Sequence, residues 1–308
     1  MNILVAIPCY NEATTIAKVV TDFKRELPDS RIIVLNNRST DNSADLASAA
    51  GAEVFFVGQQ GKGNVVRELF RNFNSDICVL VDGDDTYPAE SVRAMLKPVL
   101  QGQADMVVGD RLSNGTYEKE NKRNFHGFGN ALVRWLVNSC FKSQLNDILS
   151  GYRAFSPRFM RNIPILSNGF EVETEMTINC LSSHLNIIEI PIQYRDRPAG
   201  SFSKLNTFRD GYRVLKMFFR ILKDSRPLLF FGALGGILLI IGLAIGLLVI
   251  WEFLQTGWIS HVPLAILATG TVIVSGLLFT CALILDTLVM HERQRSEILI
   301  LRDGKNKS

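Results

Sequence analysis

The sequence predicts an α/β domain with a mostly parallel sheet, followed by a helical segment that lies on a membrane and then crosses it. Short apolar runs alternate with helical patterns in the first part of the chain, and this alternation predicts the sheet. The predicted strands are NILVAIP, RIIVLN, AEVFFV, DICVLV and DMVVGD. The helix-like segments between them lie at about 13–27, 41–50, 62–73 and 89–101. Strands that are separated by helices pair in parallel and are covered on both faces.

Two long uncharged runs predict a pair of transmembrane helices. Residues 228–251 and 262–285 contain no charged side chain, and each run is 24 residues long. A helix of that length spans roughly 36 Å, which is enough to cross a hydrocarbon core of about 30 Å. A buried core helix is the alternative interpretation, but two such runs in succession argue against it.

The cations around these runs predict the orientation of the chain. The connector 252–261 has no Lys or Arg, whereas basic residues crowd both outer flanks. Because cytoplasmic flanks carry the excess of Lys and Arg, we expect a cell-membrane protein with both termini in the cytoplasm. The flanking cations are Arg209, Arg213, Lys216, Arg220, Lys223 and Arg226 before the first run, and Arg293, Arg295, Arg302, Lys305 and Lys307 after the second.

The segment between the two parts has the pattern of an amphipathic helix. In residues 205–227, apolar side chains recur at three- and four-residue spacing, with basic residues on the other faces. This pattern is typical of a helix in the membrane interface, although a solvated helix packed on the domain has it too. The apolar positions are Phe208, Tyr212, Leu215, Phe219 and Leu222. The predicted division is therefore 1–204, 205–227, 228–290 and 291–308.

Composition excludes several classes of protein. The formal net charge of +3 is too small to suggest nucleic acid as a partner. The five cysteines are scattered and show no C-x-x-C spacing, which argues against a disulfide framework and against a zinc site.

Three carboxylates end the fourth predicted strand. Asp82, Asp84 and Asp85 follow the apolar run directly, with Gly83 among them. Parallel sheets bind ligands beyond the carboxyl ends of their strands, and a carboxylate cluster there suits Mg²⁺ or Mn²⁺ with ligand phosphates. Acids at a helix N-terminus are the alternative, and this interpretation fits Asp85 best.

Two other strand ends carry candidate binding groups. In IPCYNE, Tyr10 could stack on a base and Glu12 could bind a ribose hydroxyl or a base amide. The stretch GQQGKGN opens a predicted helix but lacks the spacing of a phosphate-binding loop. We therefore interpret it mainly as a backbone turn and helix start, with a phosphate contact by Lys62 as the alternative.

Together, IPCYNE, VDGDD and DILSGYRAF resemble family 2 glycosyltransferases with the GT-A fold. More narrowly, the chain is similar to dolichyl- or polyprenyl-phosphate sugar synthases over roughly residues 1–210. The two apolar runs at the C-terminus match the bacterial polyprenyl members of this group. The resemblance implies a nucleotide-sugar donor, a polyprenyl (undecaprenyl-type) phosphate acceptor, and Mg²⁺ or Mn²⁺.

The resemblance also implies roles for the donor-side residues. Pro8, Tyr10 and Glu12 would hold the nucleotide, and Asp82 and Gly83 would lie beside the ribose and pyrophosphate. Asp84 would bind the metal, with Asp82 as a second candidate ligand; relatives often carry a Gln where this chain has Thr86. The donor phosphates would be met by Arg197, Ser203 and Lys204.

On the acceptor side, the resemblance implies a lipid-phosphate site near Arg111, at Lys122, Arg123 and His126, although a solvated basic stretch is the alternative for each of these. The expected catalytic residues are Asp84, Arg111, Arg197 and Lys204.

The second predicted strand favours a uridine nucleotide. Relatives commonly carry acidic residues after this strand, whereas this chain has Asn36 and Asn37. A carboxylate would grip the adjacent N–H donors of guanine, and an amide such as that of Asn37 better matches uracil. A UDP-sugar is therefore favoured, with GDP-mannose as the alternative.

The implied reaction is a single displacement with inversion. A lipid phosphate is already an anion at neutral pH, so it needs neighbouring cations more than a general base. The product would be a lipid-linked sugar for modification of a cell-envelope glycan.

Two other functions remain as alternatives, and homo-oligomerisation is left open. A polysaccharide synthase with a hydroxyl acceptor would carry Q-x-x-R-W, but Ala131 stands where that Gln belongs before Arg134 and Trp135. A non-catalytic nucleotide-sugar-binding membrane module is the other alternative, and the intact Asp82 and Asp84 argue against it.

Overall fold

The computed structural model describes residues 1–113, 126–196 and 207–305. The chain divides into two compact units, Met1–Phe218 and Phe219–Ser308. The predicted domain boundary at residue 204 lies outside the described residues, so that boundary stays a prediction.

The first unit is built on a seven-stranded sheet with the order β3-β2-β1-β4-β6-β5-β7. The pairs β1–β2, β2–β3, β1–β4 and β5–β7 are parallel, and β6 is antiparallel to β4 and β5. The predicted mostly parallel α/β sheet is thus confirmed. The strands are β1 Ile3–Cys9, β2 Arg31–Asn36, β3 Glu53–Phe56, β4 Ile77–Leu80, β5 Met106–Asp110, β6 Arg153–Phe155 and β7 Ile187–Pro191.

Helices cover both faces of this sheet. Successive strand residues point to opposite faces, so Val5 and Ile7 belong to one buried cluster and Leu4 and Ala6 to the other. Helices α1, α2 and α4 pack on the first face, and α3, α6 and α7 on the second. The helices of this unit are α1 Ile16–Glu26, α2 Ser43–Ala49, α3 Lys62–Asn72, α4 Val92–Leu100, α5 His126–Phe141, α6 Pro157–Asn162 and α7 Val172–Ser182, with a short 3₁₀ turn at Ala89–Ser91.

Helix α8, Thr207–Ser225, spans the predicted interfacial segment. Its buried side chains include Val214, Met217 and Phe218, whereas Tyr212 is 68% exposed and Phe219 48% exposed. Part of the predicted apolar face is therefore open to its surroundings. Exposed aromatic residues are typical of helices at a membrane interface, and the interfacial position of α8 stays a prediction.

The second unit contains two long apolar helices, α9 Pro227–Thr256 and α10 Val262–Lys305. The segments Pro227–Thr256 and Val262–His291 are each 30 residues long and apolar enough to cross a membrane. Many of their large apolar side chains face outward, such as Ile240 at 70% and Leu247 at 64% exposed. Such exposure is unlike the core helix of a water-soluble domain.

Small residues let α9 and α10 approach closely. A Cβ at Gly242 would lie 2.9 Å from Val272 Cγ2, and one at Gly235 would lie 3.3 Å from the Ser275 carbonyl oxygen. The Ser275 hydroxyl donates a 2.8 Å hydrogen bond to the carbonyl of Gly235. Small residues and interhelical hydrogen bonds of this kind are what hold helix pairs together in a bilayer.

Candidate functional site

The carboxyl ends of three parallel strands meet at one edge of the sheet. Cys9 of β1 pairs with Asn36 of β2, and Ala6 of β1 pairs with Leu80 of β4. Hydrogen bonds then tie the loops together: Asn11 N–H donates to Ser39 Oγ at 3.0 Å, and the Thr15 hydroxyl donates to the Gly83 carbonyl at 2.7 Å. This edge is the candidate site.

The structure brings most of the predicted donor residues to this edge. Pro8 lies in β1. A Cβ on Gly83 would lie 3.3 Å from the carbonyl oxygen of Pro8. Tyr10 is half-buried and Glu12 is buried on the loop that follows β1. Gly83, which follows β4, lies beside this loop, so Pro8, Tyr10, Glu12 and Gly83 are brought to the same edge of the sheet.

Each of the three carboxylates after β4 has its own partners. Asp82 forms an ion pair with Lys62. Asp84 is 4% exposed, and its Oδ1 accepts hydrogen bonds from the Thr86 hydroxyl at 2.6 Å and the Thr86 N–H at 3.3 Å. Asp85 pairs with Lys18 at 2.7 Å and with Arg195 at 3.8 Å. The cluster is therefore divided among separate contacts, which relieves the repulsion between like charges.

Lys62 is a buried cation between two acids. Its ammonium lies 2.6 Å from Glu173 as well as against Asp82, and its side chain is 8% exposed. Burial disfavours the charged form, but the two carboxylates outweigh burial and raise the pKa of Lys62. Burial also raises the pKa of the Glu173 carboxyl, and the Lys62 ammonium opposes that shift. The Lys62 ammonium is therefore kept in its charged form between Asp82 and Glu173, at the edge of the sheet that forms the candidate site.

Steric crowding explains why glycines flank Lys62. Gly61 has a φ of +126°, and a Cβ on Gly61 would collide with the carbonyl oxygen of Asn168. A Cβ on Gly63 would collide with the carbonyl of Ser167, and the Gly63 N–H donates to the Asn168 carbonyl at 3.1 Å. The loop that carries Lys62 is therefore pressed against residues 167–168, and α3 starts at Lys62 as the sequence predicts.

Asn37 forms hydrogen bonds with the loop that precedes Lys62. Its Nδ2 donates to the carbonyls of Gln59 at 2.7 Å and Val57 at 3.2 Å, and its Oδ1 accepts from the Gly61 N–H at 2.6 Å. Asn37 is also 4% exposed. Both of these donor contacts of the amide are to the protein, whereas its oxygen can accept a second hydrogen bond; contact with uracil, as predicted from the sequence, stays a prediction.

Arg111 directly follows β5 and forms an ion pair with Asp147. Its Nε and Nη2 donate to the two carboxylate oxygens of Asp147 at 2.7 and 2.9 Å, and it is 8% exposed. Burial disfavours the ionised Asp147 carboxyl, but Arg111 outweighs burial and lowers its pKa. Arg111 also lies 5.6 Å from the ring centroid of Tyr194. These contacts make Arg111 a structural anchor, and its predicted catalytic role is not tested by them.

The remaining predicted residues are not placed by the structure. Arg197, Ser203, Lys204, Lys122 and Arg123 lie outside the described residues. For His126, the first residue of α5, only the backbone is described. Their roles toward the donor phosphates and the acceptor phosphate stay predictions.

The sequence analysis missed several charged residues behind the site. Glu173 is one, and its Oε2 has no hydrogen-bond partner in the part of the chain that the structure describes. Arg153 is another: it is fully buried and donates to the carbonyls of Ser150 at 2.9 Å and Ile148 at 2.6 Å. The available signal for Arg153 was its position in DILSGYRAF, one of the motifs that carry the family resemblance. Glu173 had no such signal, because its partner Lys62 is distant in sequence.

The donor chemistry at this edge fits a divalent cation that arrives with a ligand. Within residues 1–113, 126–196 and 207–305, no group of three His, Cys, Asp or Glu side chains could hold a metal ion. Mg²⁺ and Mn²⁺ commonly use only one or two carboxylates and complete their shell with phosphate oxygens and waters. Asp84 suits this role, whereas Asp82 would have to share its carboxylate with Lys62.

Comparison with known proteins gives several relatives. The model of the family "Glycosyl transferase family 2" matches residues 4–161. Glycosyltransferase AglJ of Haloferax volcanii is 32% identical over 296 residues, which cover 94% of this chain and 95% of AglJ. The dolichyl-phosphate hexose transferase of the same organism is 28% identical over 73% of this chain and 96% of its own length. An undecaprenyl-phosphate mannosyltransferase of Micrococcus luteus is 26% identical over 65% of this chain and 86% of its own length.

A solved structure shares the fold of the first unit. Glucosyl-3-phosphoglycerate synthase from Mycobacterium tuberculosis, solved with Mn²⁺, UDP-glucose and phosphoglyceric acid, matches with a TM-score of 0.56 and 23% identity. The match covers 73% of this chain and 79% of that one. The predicted GT-A-like architecture is therefore confirmed.

The Arg111–Asp147 pair generates a prediction about stability and pH. Asp147→Asn leaves a buried guanidinium without its carboxylate, so the free energy of unfolding should fall by about 3–5 kcal/mol at pH 7. Because folding lowers the pKa of Asp147, its contribution is present above the unfolded pKa and is lost as pH falls through the folded value. The difference in the free energy of unfolding between the variant and the parent should thus become smaller below about pH 4. This difference is measured by urea unfolding of the full chain in detergent.

The exposed pair between Arg31 and Glu53 supplies the control. Their side chains are 43% and 52% exposed, so Glu53→Gln should cost less than about 1 kcal/mol. An Asp147→Asn variant as stable as Glu53→Gln at pH 7 would contradict the anchoring role of Arg111.

Proposed function

Because the chain belongs to glycosyl transferase family 2, we propose that it moves a hexose from a nucleotide-sugar onto a polyprenyl phosphate at a membrane surface. One observation carries the proposal. The same chain has acidic residues at the sheet edge where β1, β2 and β4 end, and two helices that are apolar enough to cross a bilayer. Two relatives that match most of this chain's length are named for transfer to dolichyl phosphate or undecaprenyl phosphate. A lipid acceptor explains why a glycosyltransferase would carry its own membrane segment.

The donor is proposed to bind at the edge where β1, β2 and β4 end. Pro8, Tyr10 and Glu12 hold the nucleotide, and Asp82 and Gly83 lie beside the ribose and pyrophosphate. Asp84 would hold the divalent cation, which when bound would supply positive charge to the donor pyrophosphate. Arg197, Ser203 and Lys204 supply the further contacts to the donor phosphates.

A UDP-sugar is the donor that we favour. Neither residue at the end of β2 is a carboxylate, so Asn36 and Asn37 do not offer the bidentate acceptor that guanine prefers. GDP-mannose is the second candidate, because one relative is named as a mannosyltransferase.

The acceptor phosphate is proposed to be captured by Lys122, Arg123 and His126. Its oxygen attacks the anomeric carbon directly, the bond to the nucleotide breaks, and the configuration inverts. Since the nucleophile is already an anion, the site needs cations that overcome repulsion between two phosphates, and no base is required.

The membrane arrangement follows from the two apolar helices. We place α9 and α10 across the cell membrane, α8 in the interface, and the domain of residues 1–204 with both termini in the cytoplasm. The product, a polyprenyl-phosphate sugar, would then form at the cytoplasmic face and serve in modification of a cell-envelope glycan.

The identity of the acceptor is tested by comparing a lipid phosphate with its alcohol. Polyprenyl phosphate should yield a glycolipid with a nucleotide-sugar, and polyprenol should yield none, because nothing activates a hydroxyl. In addition, the double variant Lys122→Gln/Arg123→Gln should raise the KM for polyprenyl phosphate. The increase should be on the order of 10- to 100-fold, since a charge-assisted contact contributes about 1.5–3 kcal/mol. Products are identified by mass spectrometry.

The control is a double variant with the same change of charge elsewhere. Arg71 and Lys97 are exposed cations on α3 and α4, and Arg71→Gln/Lys97→Gln should leave this KM unchanged. Product from polyprenol at a comparable rate would overturn the phosphate acceptor and favour a hydroxyl-acceptor enzyme.

The choice of nucleotide is tested by calorimetry on the full chain in detergent. UDP should bind at least tenfold more tightly than GDP in the presence of Mn²⁺, a difference of about 1.4 kcal/mol. A preference for GDP would instead support GDP-mannose as the donor.

A further inference from the structure

Asp85 adopts a backbone conformation that few residues accept. Its φ is 59°, which places it in the left-handed region. Aspartate and asparagine tolerate this region better than other residues with a Cβ, and glycine tolerates it best. The chain therefore reverses direction immediately after Asp84, at the point where the proposed metal ligand is presented.

Two distant parts of the chain meet Asp85. Lys18 of α1 lies 2.7 Å from its Oδ1, and Arg195, which follows β7, lies 3.8 Å from the same atom. The Asp85 side chain is 12% exposed. The Arg195 guanidinium also donates to Glu90 at 3.1 Å, which ties it to the chain beyond the turn.

The backbone next to Asp85 is fixed by the same partners. The Arg195 N–H donates to the Thr86 carbonyl at 3.0 Å. The Thr86 hydroxyl and N–H in turn donate to Oδ1 of Asp84. A continuous set of contacts thus runs from Lys18 and Arg195, through Asp85 and Thr86, to the Asp84 carboxylate.

The contacts differ from those of an acid at a helix N-terminus, the alternative predicted from the sequence. The next helical turn begins only at Ala89, and α4 begins at Val92. The Asp85 carboxylate pairs instead with the cations Lys18 and Arg195. The charge of Asp85 is directed at two other elements of the fold.

We propose that Asp85 is a positioning residue, which orients the Asp84 carboxylate for the divalent cation by pairing with Lys18 and Arg195. The inference rests on the proposed function, because it assumes that a cation binds at Asp84 together with the nucleotide. In this proposal Asp85 does not bind the divalent cation itself but orients the residue that does.

Three substitutions separate the ion pairs from the backbone conformation. Asp85→Asn and Asp85→Gly both accept a positive φ but lose the charge, whereas Asp85→Ala loses the charge and also strains the backbone. Mn²⁺ binding is measured by calorimetry on the full chain in detergent, with saturating UDP. The Asn and Gly variants should each raise the apparent Kd for Mn²⁺ about tenfold. The kcat at saturating Mn²⁺ should change less than about twofold, because Asp84 itself is intact.

A double-mutant cycle tests the connection to α1. Lys18→Met should raise the Kd for Mn²⁺ by no more than Asp85→Asn, which also loses the pair with Arg195. The double variant should bind Mn²⁺ no more weakly than Asp85→Asn alone, since the contact between Lys18 and Asp85 is already lost there. Asp22→Asn is the matched control. Asp22 is the other partner of Lys18, at 2.8 Å, and its loss leaves the turn untouched, so Mn²⁺ binding should stay at the parent value.

The outcomes are distinguishable. If the parent binds Mn²⁺ with UDP and the Asn and Gly variants bind it equally well, the positioning role is overturned while the proposed function stands. If only Asp85→Ala is weakened, the backbone conformation alone matters and the ion pairs do not. If the parent itself binds no Mn²⁺ with UDP, the proposed metal site fails and the inference fails with it.

Discussion

Electrostatic repulsion among three carboxylates in four residues is the constraint on which the site depends. Asp82, Asp84 and Asp85 follow one buried strand, and their charges would oppose each other without separate partners. The fold supplies Lys62 to Asp82, the neutral donors of Thr86 to Asp84, and Lys18 with Arg195 to Asp85. Lys62 therefore pairs with Asp82, and Lys18 and Arg195 pair with Asp85. We assign Asp84, whose Oδ1 accepts from Thr86, to the cation of the donor.

The buried pairs explain much of the architecture around this edge. Lys62 pairs with Asp82 and Glu173, and its loop lies against residues 167–168, where glycines at 61 and 63 permit the close approach. Asn37 holds the same loop from β2. Removing one partner of a buried pair leaves an uncompensated charge, which is far more costly than loss of an exposed pair. The rigidity of the donor edge thus follows from charge pairing as well as from apolar packing.

The sequence predicted the elements that local pattern determines, and failed where distant residues combine. Strands β1 to β5 and helices α1 to α4 follow from hydrophobic runs and the helical segments between them. Strand β6 has only three residues and starts with the buried Arg153, so it shows no apolar run. The partnership of Lys62 with Glu173 joins residues on α3 and α7, and periodicity within either helix gives no sign of it. The predicted contact of Asn37 with the base stays a prediction. Its hydrogen bonds to the loop of Lys62 could not be predicted, because only the tertiary structure brings that loop near β2.

We assign to Asp84 the protein's carboxylate for the cation that accompanies the donor. Electron paramagnetic resonance of Mn²⁺ with the full chain, titrated in the presence and absence of UDP, measures whether this carboxylate binds the cation. We expect Asp84→Asn to weaken Mn²⁺ binding in the presence of UDP by about 100-fold or more, while the variant stays folded in the membrane. Mn²⁺ binding by Asp84→Asn at the affinity of the parent would contradict the assignment.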